Sequence, residues 1–176
     1  TAGVAFSQVL TISGGIAPYT VVQTGTLPAG LSFDAGSRTF SGTPTQSGSF
    51  NISVTVTDST GGTPATVTNN YTLTVAVPTL SMTPASVPDA VAGVAYSQSF
   101  VASGGIAPYS YSVSAGALPA GLTMNAAGLL SGTPTVAGSF SFSVTATDST
   151  SGTAGVVTNA YALTLSVPTI AIAPAT

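Results

Sequence analysis

The stretch Ser41 to Thr60 returns as Ser131 to Thr150 at an offset of 90 residues, with fifteen of its twenty positions unchanged. A repeat of that length sets the size of the folding unit, so the chain of 176 residues reads as two modules and not as one domain around a single core. Within the block, Phe50, Ile52, Val54 and Val56 fall on one face, and Asn51, Ser53, Thr55 and Thr57 on the other. The second copy puts Phe140, Phe142, Val144 and Ala146 on the apolar face. Unbroken alternation over eight positions is the signature of a half-buried β-strand, and turn residues bound it on both sides.

The rest of each copy follows the same plan. Phe6 to Ser13 and its counterpart Tyr96 to Ser103 read as one strand, with Phe6, Gln8, Leu10 and Ile12 in a single parity. Gly14-Gly15-Ile16-Ala17-Pro18-Tyr19 is a turn repeated unchanged as Gly104 to Tyr109, followed by strands at Tyr19 to Gln23 and Tyr109 to Ser114. Leu27-Pro28-Ala29-Gly30-Leu31 recurs as Leu118 to Leu122 and suits a type I turn with Pro second and Gly fourth. Short strands are expected at Leu31 to Phe33 and Leu122 to Met124, then a turn one residue shorter in copy two. A long strand, Val67 to Val77, puts Tyr71, Leu73, Val75 and Val77 on one face. Tyr161, Leu163, Leu165 and Val167 match it. Asn69 and Asn159 share the inward parity, which calls for a bulge or a buried hydrogen bond to a neighbouring loop.

Charge is nearly absent. Arg38, Asp34, Asp58, Asp89 and Asp148 are the charged residues, and Lys, Glu, His and Cys do not occur. That excludes zinc and haem ligation, a nucleophile–imidazole pair, disulfides, and neutralisation of a phosphate backbone, so no nucleic-acid partner is expected. Ser and Thr make up about 30% of the residues and interrupt every apolar run well short of the ~18 residues of a membrane helix, so no membrane insertion is expected. The surface they imply is neutral and rich in hydroxyls, suited to an extracellular setting.

The repeats give module 1 as residues 1–78, module 2 as 79–169, and the first strand of a third copy as 170–176. Val77-Pro78-Thr79 joins the modules and Val167-Pro168-Thr169 repeats the junction, which is expected to be stiff. Thr1 aligns with Val91, so module 1 lacks its own first strand while the tail offers a spare one. Two origins are open. The chain is cut from a longer array, or the tail pairs with the first module of the next subunit, as in donor-strand fibres.

In order, Gly-Gly-Ile-Ala-Pro-Tyr, Leu-Pro-Ala-Gly-Leu, Phe40 to Thr45 with its counterpart Leu130 to Thr135, Gly-Ser-Phe, and the Thr-Asp-Ser run resemble the immunoglobulin-like modules of bacterial haemagglutinin-type surface proteins. These are relatives of the dystroglycan-type cadherin-like modules. The resemblance covers nearly the whole chain, twice. It implies an all-β fold of two tandem immunoglobulin-like (cadherin-like) β-sandwiches of about seven strands each, carried on large secreted or cell-surface proteins. It transfers no catalytic residue, because its motifs are turns and core positions.

Such a fold would gather Leu27, Pro28, Leu31, Pro44, Pro78, Ile106 and Pro108 as packing residues between modules. The metal-site candidates are Asp34 with Asp58, and Asn125 with Asp148. Calcium takes 6–8 oxygens, several of them acidic, so closure of Asx-turns is the plainer role. Tyr19, Tyr109 and Tyr111 stand beside a loop, either to stack on sugars or to plug the end of a core. Asn51-Ile52-Ser53 and Asn70-Tyr71-Thr72 fit the N-glycosylation pattern in copy one alone. The expected function is a structural or adhesive repeat of a long bacterial surface protein, acting as spacer, stalk or fibre without catalysis or cofactor. Its partners would be neighbouring repeats or like subunits, with a host or cell-surface glycan or protein as a further partner. The alternatives are a carbohydrate-binding or accessory module of a secreted protein, and a donor-strand-linked subunit of an extracellular filament. Asp34 and Asp58 alone make no acid–base set for an enzyme.

Overall fold

An alternating strand must find partners for its backbone N–H and C=O groups. In the computed structural model, which describes residues 1–172, these stretches pair into sheets, and the described residues contain no helix. Contacts divide the chain into two compact units. One is Thr1–Pro78 with Ser149–Ala154, and the other is Thr79–Asp148 with the chain from Gly155 onward.

The first unit holds β1 (Phe6–Val9), β2 (Thr20–Thr24), β3 (Leu31–Asp34), β4 (Thr39–Gly42), β5 (Gly48–Thr57) and β6 (Thr66–Val75). They form two antiparallel sheets, ordered β1-β4-β3 and β2-β5-β6. The strand of the repeated block is β5, central in its sheet. Its Ile52 and Val54 are buried with Val21 and Phe40, and Phe6, Leu10, Tyr19, Leu27 and Phe33 pack against them. Since that cluster draws on both sheets, the unit is a sandwich. The outward residues of β5 and β6 form hydroxyl pairs across the strands, such as Thr55–Thr68 at 2.9 Å and Thr57–Thr66 at 3.4 Å.

The second unit begins with β7 (Ser81–Thr83), β8 (Ala90–Val91), β9 (Tyr96–Ser99), β10 (Val101–Ser103) and β11 (Ser110–Gly116). It continues with β12 (Leu122–Met124), β13 (Leu129–Gly132), β14 (Gly138–Thr147) and β15 (Val156–Ser166). Its sheets are β12-β13-β9 and β11-β14-β15-β8, with β10 and β7 as a separate pair. All pairings are antiparallel except β15 with β8, which is parallel. Leu130, Val144, Ala146 and Leu163 are fully enclosed, and the Tyr161 ring lies 4.9 Å from that of Phe100 and 5.8 Å from that of Phe142.

Two sequence expectations are corrected. Tyr96 to Ser103 is not one strand: β9 pairs with β13, and after Phe100 the chain crosses to pair with β7 as β10. Phe100 sits at the crossing, buried, its N–H donating to Gly128 O at 2.8 Å. In the first unit the strand ends at Val9, and Leu10 N–H donates to Arg38 O at 2.8 Å. The Leu-Pro-Ala-Gly-Leu turn is type II, not type I. Leu31 N–H donates to Pro28 O at 3.1 Å with Gly30 at φ 87°, and Leu122 N–H donates to Pro119 O at 3.0 Å with Gly121 at φ 93°. Pro28 and Pro119 open these turns from inside the core, fully buried. Of the two explanations open for Asn69 and Asn159, no bulge accompanies either, since both sit in unbroken ladders opposite Val54 and Val144, and Asn159 Nδ2 makes a part-buried hydrogen bond to Met82 O at 3.2 Å. The expected strand 170–176 runs into residues 173–176, outside the described residues; 170–172 are not in a strand, and Ile170 and Ile172 are exposed.

Candidate functional site

The two repeated aspartates close their own loops. Asp58 Oδ2 accepts from Ile16 N–H at 3.1 Å and from the Thr60 hydroxyl at 2.5 Å, while Oδ1 accepts from Ala65 N–H at 2.7 Å and Thr60 N–H at 3.3 Å. The Thr60 hydroxyl, foremost, and the three N–H groups hold this carboxyl at about 2, below its ordinary 3.8, although burial pulls the other way. Asp148 repeats the arrangement with Ile106 N–H at 3.0 Å and Gly155 N–H at 2.6 Å. The glycine of each turn lets the chain come this close: a Cβ on Gly15 would stand 2.9 Å from Asp58 Oδ2, and one on Gly105 would stand 2.3 Å from Asp148 Oδ2.

The other calcium candidates are engaged in the same way. Asp34 Oδ1 accepts from Gly36 N–H at 2.7 Å and Ser37 N–H at 3.0 Å, and Asn125 Oδ1 accepts from Ala127 and Leu129 N–H at 3.0 Å. Each is an Asx-type closure of a tight turn. Among the described residues no group of three or more His, Cys, Asp or Glu stands where a metal ion is held.

The tyrosines are likewise committed to their own units. The Tyr19 hydroxyl donates to Gly14 O at 2.6 Å, the Tyr109 hydroxyl donates to Gly104 O, and the Tyr111 hydroxyl accepts from Ala102 N–H at 2.7 Å. All three rings pack against a core. Of the residues expected to pack between modules, Leu27 joins the first core, and Pro28, Pro44 and Pro78 are buried. Leu31 and Ile106 are half-buried, and Pro108 is exposed.

The feature of the site that the sequence did not reveal is a cleft in the first unit. In the second unit Leu80, Met82 and Val87 are buried along one side of the core. There Asn159 Nδ2 donates to Met82 O at 3.2 Å, and the Tyr161 hydroxyl donates to Pro84 O at 2.9 Å. Asn69 and Tyr71 are the matching pair, with the same Nδ2-to-hydroxyl distance of 3.4 Å seen between Asn159 and Tyr161. Yet among the described residues no segment takes the place of β7, and Tyr71 is 43% exposed where Tyr161 is 3%. In its stead lies a cleft of about 320 Å³ lined by Phe6, Leu10, Phe40, Ile52, Tyr71 and Leu73. It continues past Ile12 and Val67 at one end and past Val75 toward Pro44 at the other. Thr11–Ser13, which correspond to β10, pair with no strand among the described residues. The signal in the sequence was the inward parity of Asn69.

The division into two repeats agrees with the family to which both belong. The family model described as "Putative Ig domain" matches residues 1–76 and again 78–168. Among curated proteins no significant match is found. Among solved structures, the protocadherin gammaB4 extracellular domain aligns at 18% identity and TM-score 0.41, over 84% of this chain and 27% of that one. An endo-fucoidan hydrolase of glycoside hydrolase family 107 aligns at 21% identity and TM-score 0.41, over 94% and 27%. Drosophila N-cadherin EC1-4 aligns at 13% identity and TM-score 0.38, over 84% and 40%. The chain thus spans less than half the length of these three structures.

Proposed function

Because the chain belongs to the family described as "Putative Ig domain" over both of its repeats, we propose that its two modules are non-catalytic structural repeats. In this reading they act as a spacer or stalk within a secreted or cell-surface bacterial protein. The observation that carries the reading is where the repeated polar side chains go. Asp58, Asp148, Asp34 and Asn125 all accept hydrogen bonds from the N–H groups of their own loops, and Tyr19 and Tyr109 donate to their own turns. What repeats is therefore what shapes a sandwich, with no convergent set of polar groups of the kind a ligand site needs.

The test is a binding and folding screen. The intact chain is expected to show no saturable binding on a glycan array, and no change in melting temperature with millimolar calcium or chelator. Residues 79–168 alone are expected to unfold in one cooperative transition, as a spacer unit must. Glycan binding lost on Tyr109→Ala, or failure of 79–168 to fold alone, overturns the reading.

A further inference from the structure

We propose that Asn51 and Asn70 are N-glycosylation sites, and that they accept sugar before β5 and β6 pair. The two Asn-x-Ser/Thr triplets, Asn51-Ile52-Ser53 and Asn70-Tyr71-Thr72, lie on these neighbouring strands of the first unit. Residues two apart on a strand share a face, so each triplet sets its asparagine and its hydroxyl side by side. The antiparallel register puts Asn51 opposite Thr72 and Ser53 opposite Asn70. The hydroxyls then serve across the strands: Thr72 donates to Asn51 Oδ1 at 2.9 Å, and Ser53 donates to Asn70 Oδ1 at 2.5 Å. Each amide carbonyl is thus held by the hydroxyl of the other triplet. Both asparagines are exposed, and no acceptor among the described residues takes either Nδ2. Asn69 and Asn159, by contrast, donate through Nδ2 to tyrosine hydroxyls.

The second unit shows that the shared fold does not call for these amides. Its matching pairs are Ser141 opposite Ala162 and Ser143 opposite Ala160, and they line an open trough of about 470 Å³. A sandwich of the same plan therefore forms with neither asparagine. What the first unit adds there is a pair of free amide nitrogens on a face of small side chains. Thr24 stands opposite Ser53, and Ser49 opposite Thr74, so the face leaves room for a sugar on either nitrogen.

In the transfer, Nδ2 attacks the anomeric carbon of a sugar carried on a diphosphate. A C–N bond forms, the bond from that carbon to the diphosphate oxygen breaks, and the Nδ2 proton passes to a base of the transferase. The product amide keeps Oδ1 and one N–H, so both cross-strand bonds survive and the sugar projects into solvent. The order of events follows from the pairing. β5 is central, bonded to β2 on one edge and to β6 on the other. In the sheet each triplet's hydroxyl is engaged across the strands instead of with its own asparagine. A transferase that reads the triplet as one segment therefore acts on the unpaired chain. Its donor is a diphosphate sugar, linked either to a lipid or to a nucleoside.

The test makes the intact chain in two hosts, one with a lipid-linked donor in its secretory membrane and one with a soluble transferase and a nucleotide-linked hexose. Peptide mass mapping is expected to find sugar on Asn51 and on Asn70. The attached mass, an oligosaccharide or a single hexose, identifies the donor. Thr72→Val is expected to lose the sugar on Asn70 and keep that on Asn51, and Ser53→Ala the reverse, because each asparagine uses its own triplet before folding. Both changes are on the exposed side of the sheet, where the second unit has Ala162 and Ser143. The purified, folded chain is expected to be modified at least about tenfold more slowly than synthetic peptides of residues 48–57 and 66–75, because paired strands open rarely. Three results overturn the proposal. They are an absence of sugar on both asparagines in both hosts, a folded chain modified as fast as the peptides, and loss of the Asn51 sugar in Thr72→Val, which would put transfer after pairing. None of them bears on the spacer reading, which the binding and folding screen tests separately.

Discussion

Asp58 shows how a residue read correctly from sequence gains its meaning from what surrounds it. Its place at the end of an alternating strand before Ser-Thr marked it as a loop closer, and its four hydrogen bonds bear that out. With the carboxyl held at about 2 in the fold against its ordinary 3.8, the ionised form is what the folded loop favours. Its contribution to the first unit is therefore present in full above about pH 4 and lost as pH falls through 2. Calorimetry between pH 5 and pH 2 is expected to show the transition of the first unit falling over that range, more shallowly in Asp58→Asn.

Arg38 was legible only as a charge. In the fold it is the one described non-glycine residue with positive φ, at 59°, and it stands where the second unit has Gly128 at φ 86°. Left-handed backbone costs an ordinary residue roughly 1–2 kcal/mol, part of it offset by the greater freedom of glycine when unfolded. Arg38→Gly is therefore expected to stabilise the first unit by about 0.5–1 kcal/mol in denaturant titration.

At the scale of elements, strands were the most legible part. The period-2 pattern placed β5 and β14 to within two residues, because one buried face leaves its mark on every second position. The crossing at Phe100 was not legible, since Tyr96, Phe100 and Ala102 keep one parity while the backbone changes sheet. Turn type was misread for a related reason. Pro-Ala-Gly is compatible with two turns, and the choice is made by a contact distant in sequence, Thr45 N–H to Ala29 O at 2.7 Å and Thr135 N–H to Ala120 O at 2.9 Å. A Cβ on Gly121 would lie 2.1 Å from Thr133 O. Gly121→Ala is expected to cost the second unit about 1–3 kcal/mol from backbone strain alone, seen as a lower denaturation midpoint.

At the scale of the whole chain, the two modules have matching sequences and unequal cores. The second holds Leu80, Met82 and Val87 in place, and the first has no described residues there. Burial of one such side chain is worth about 1.5–3 kcal/mol, and about 1 kcal/mol moves the melting point of a domain this size by 4–8 °C. Calorimetry of a dilute sample is expected to resolve two transitions, the lower belonging to the first unit and lying at least about 10 °C below the other. A single transition would mean that burial at the positions of Leu80, Met82 and Val87 contributes little. The inequality was half legible: the inward parity of Asn69 marked a polar group in need of a partner, but not the exposure of Tyr71 beside it.

The parallel pairing of β8 with β15 bears on how the second unit responds to tension. A pull on the chain ahead of β8 and on the chain beyond β15 drags these two strands along each other in opposite senses. The bonds around Ala90–Leu165 and Val91–Ser166, with Ala92 N–H to Ser166 O at 3.0 Å, are then strained together and not opened one at a time. In the first unit Ala2 N–H to Ala76 O, also 3.0 Å, is the matching bond, and no described strand stands in for β8. Under force the second unit is therefore held by one short patch of bonds, loaded at once, between its first paired strand segment and its last.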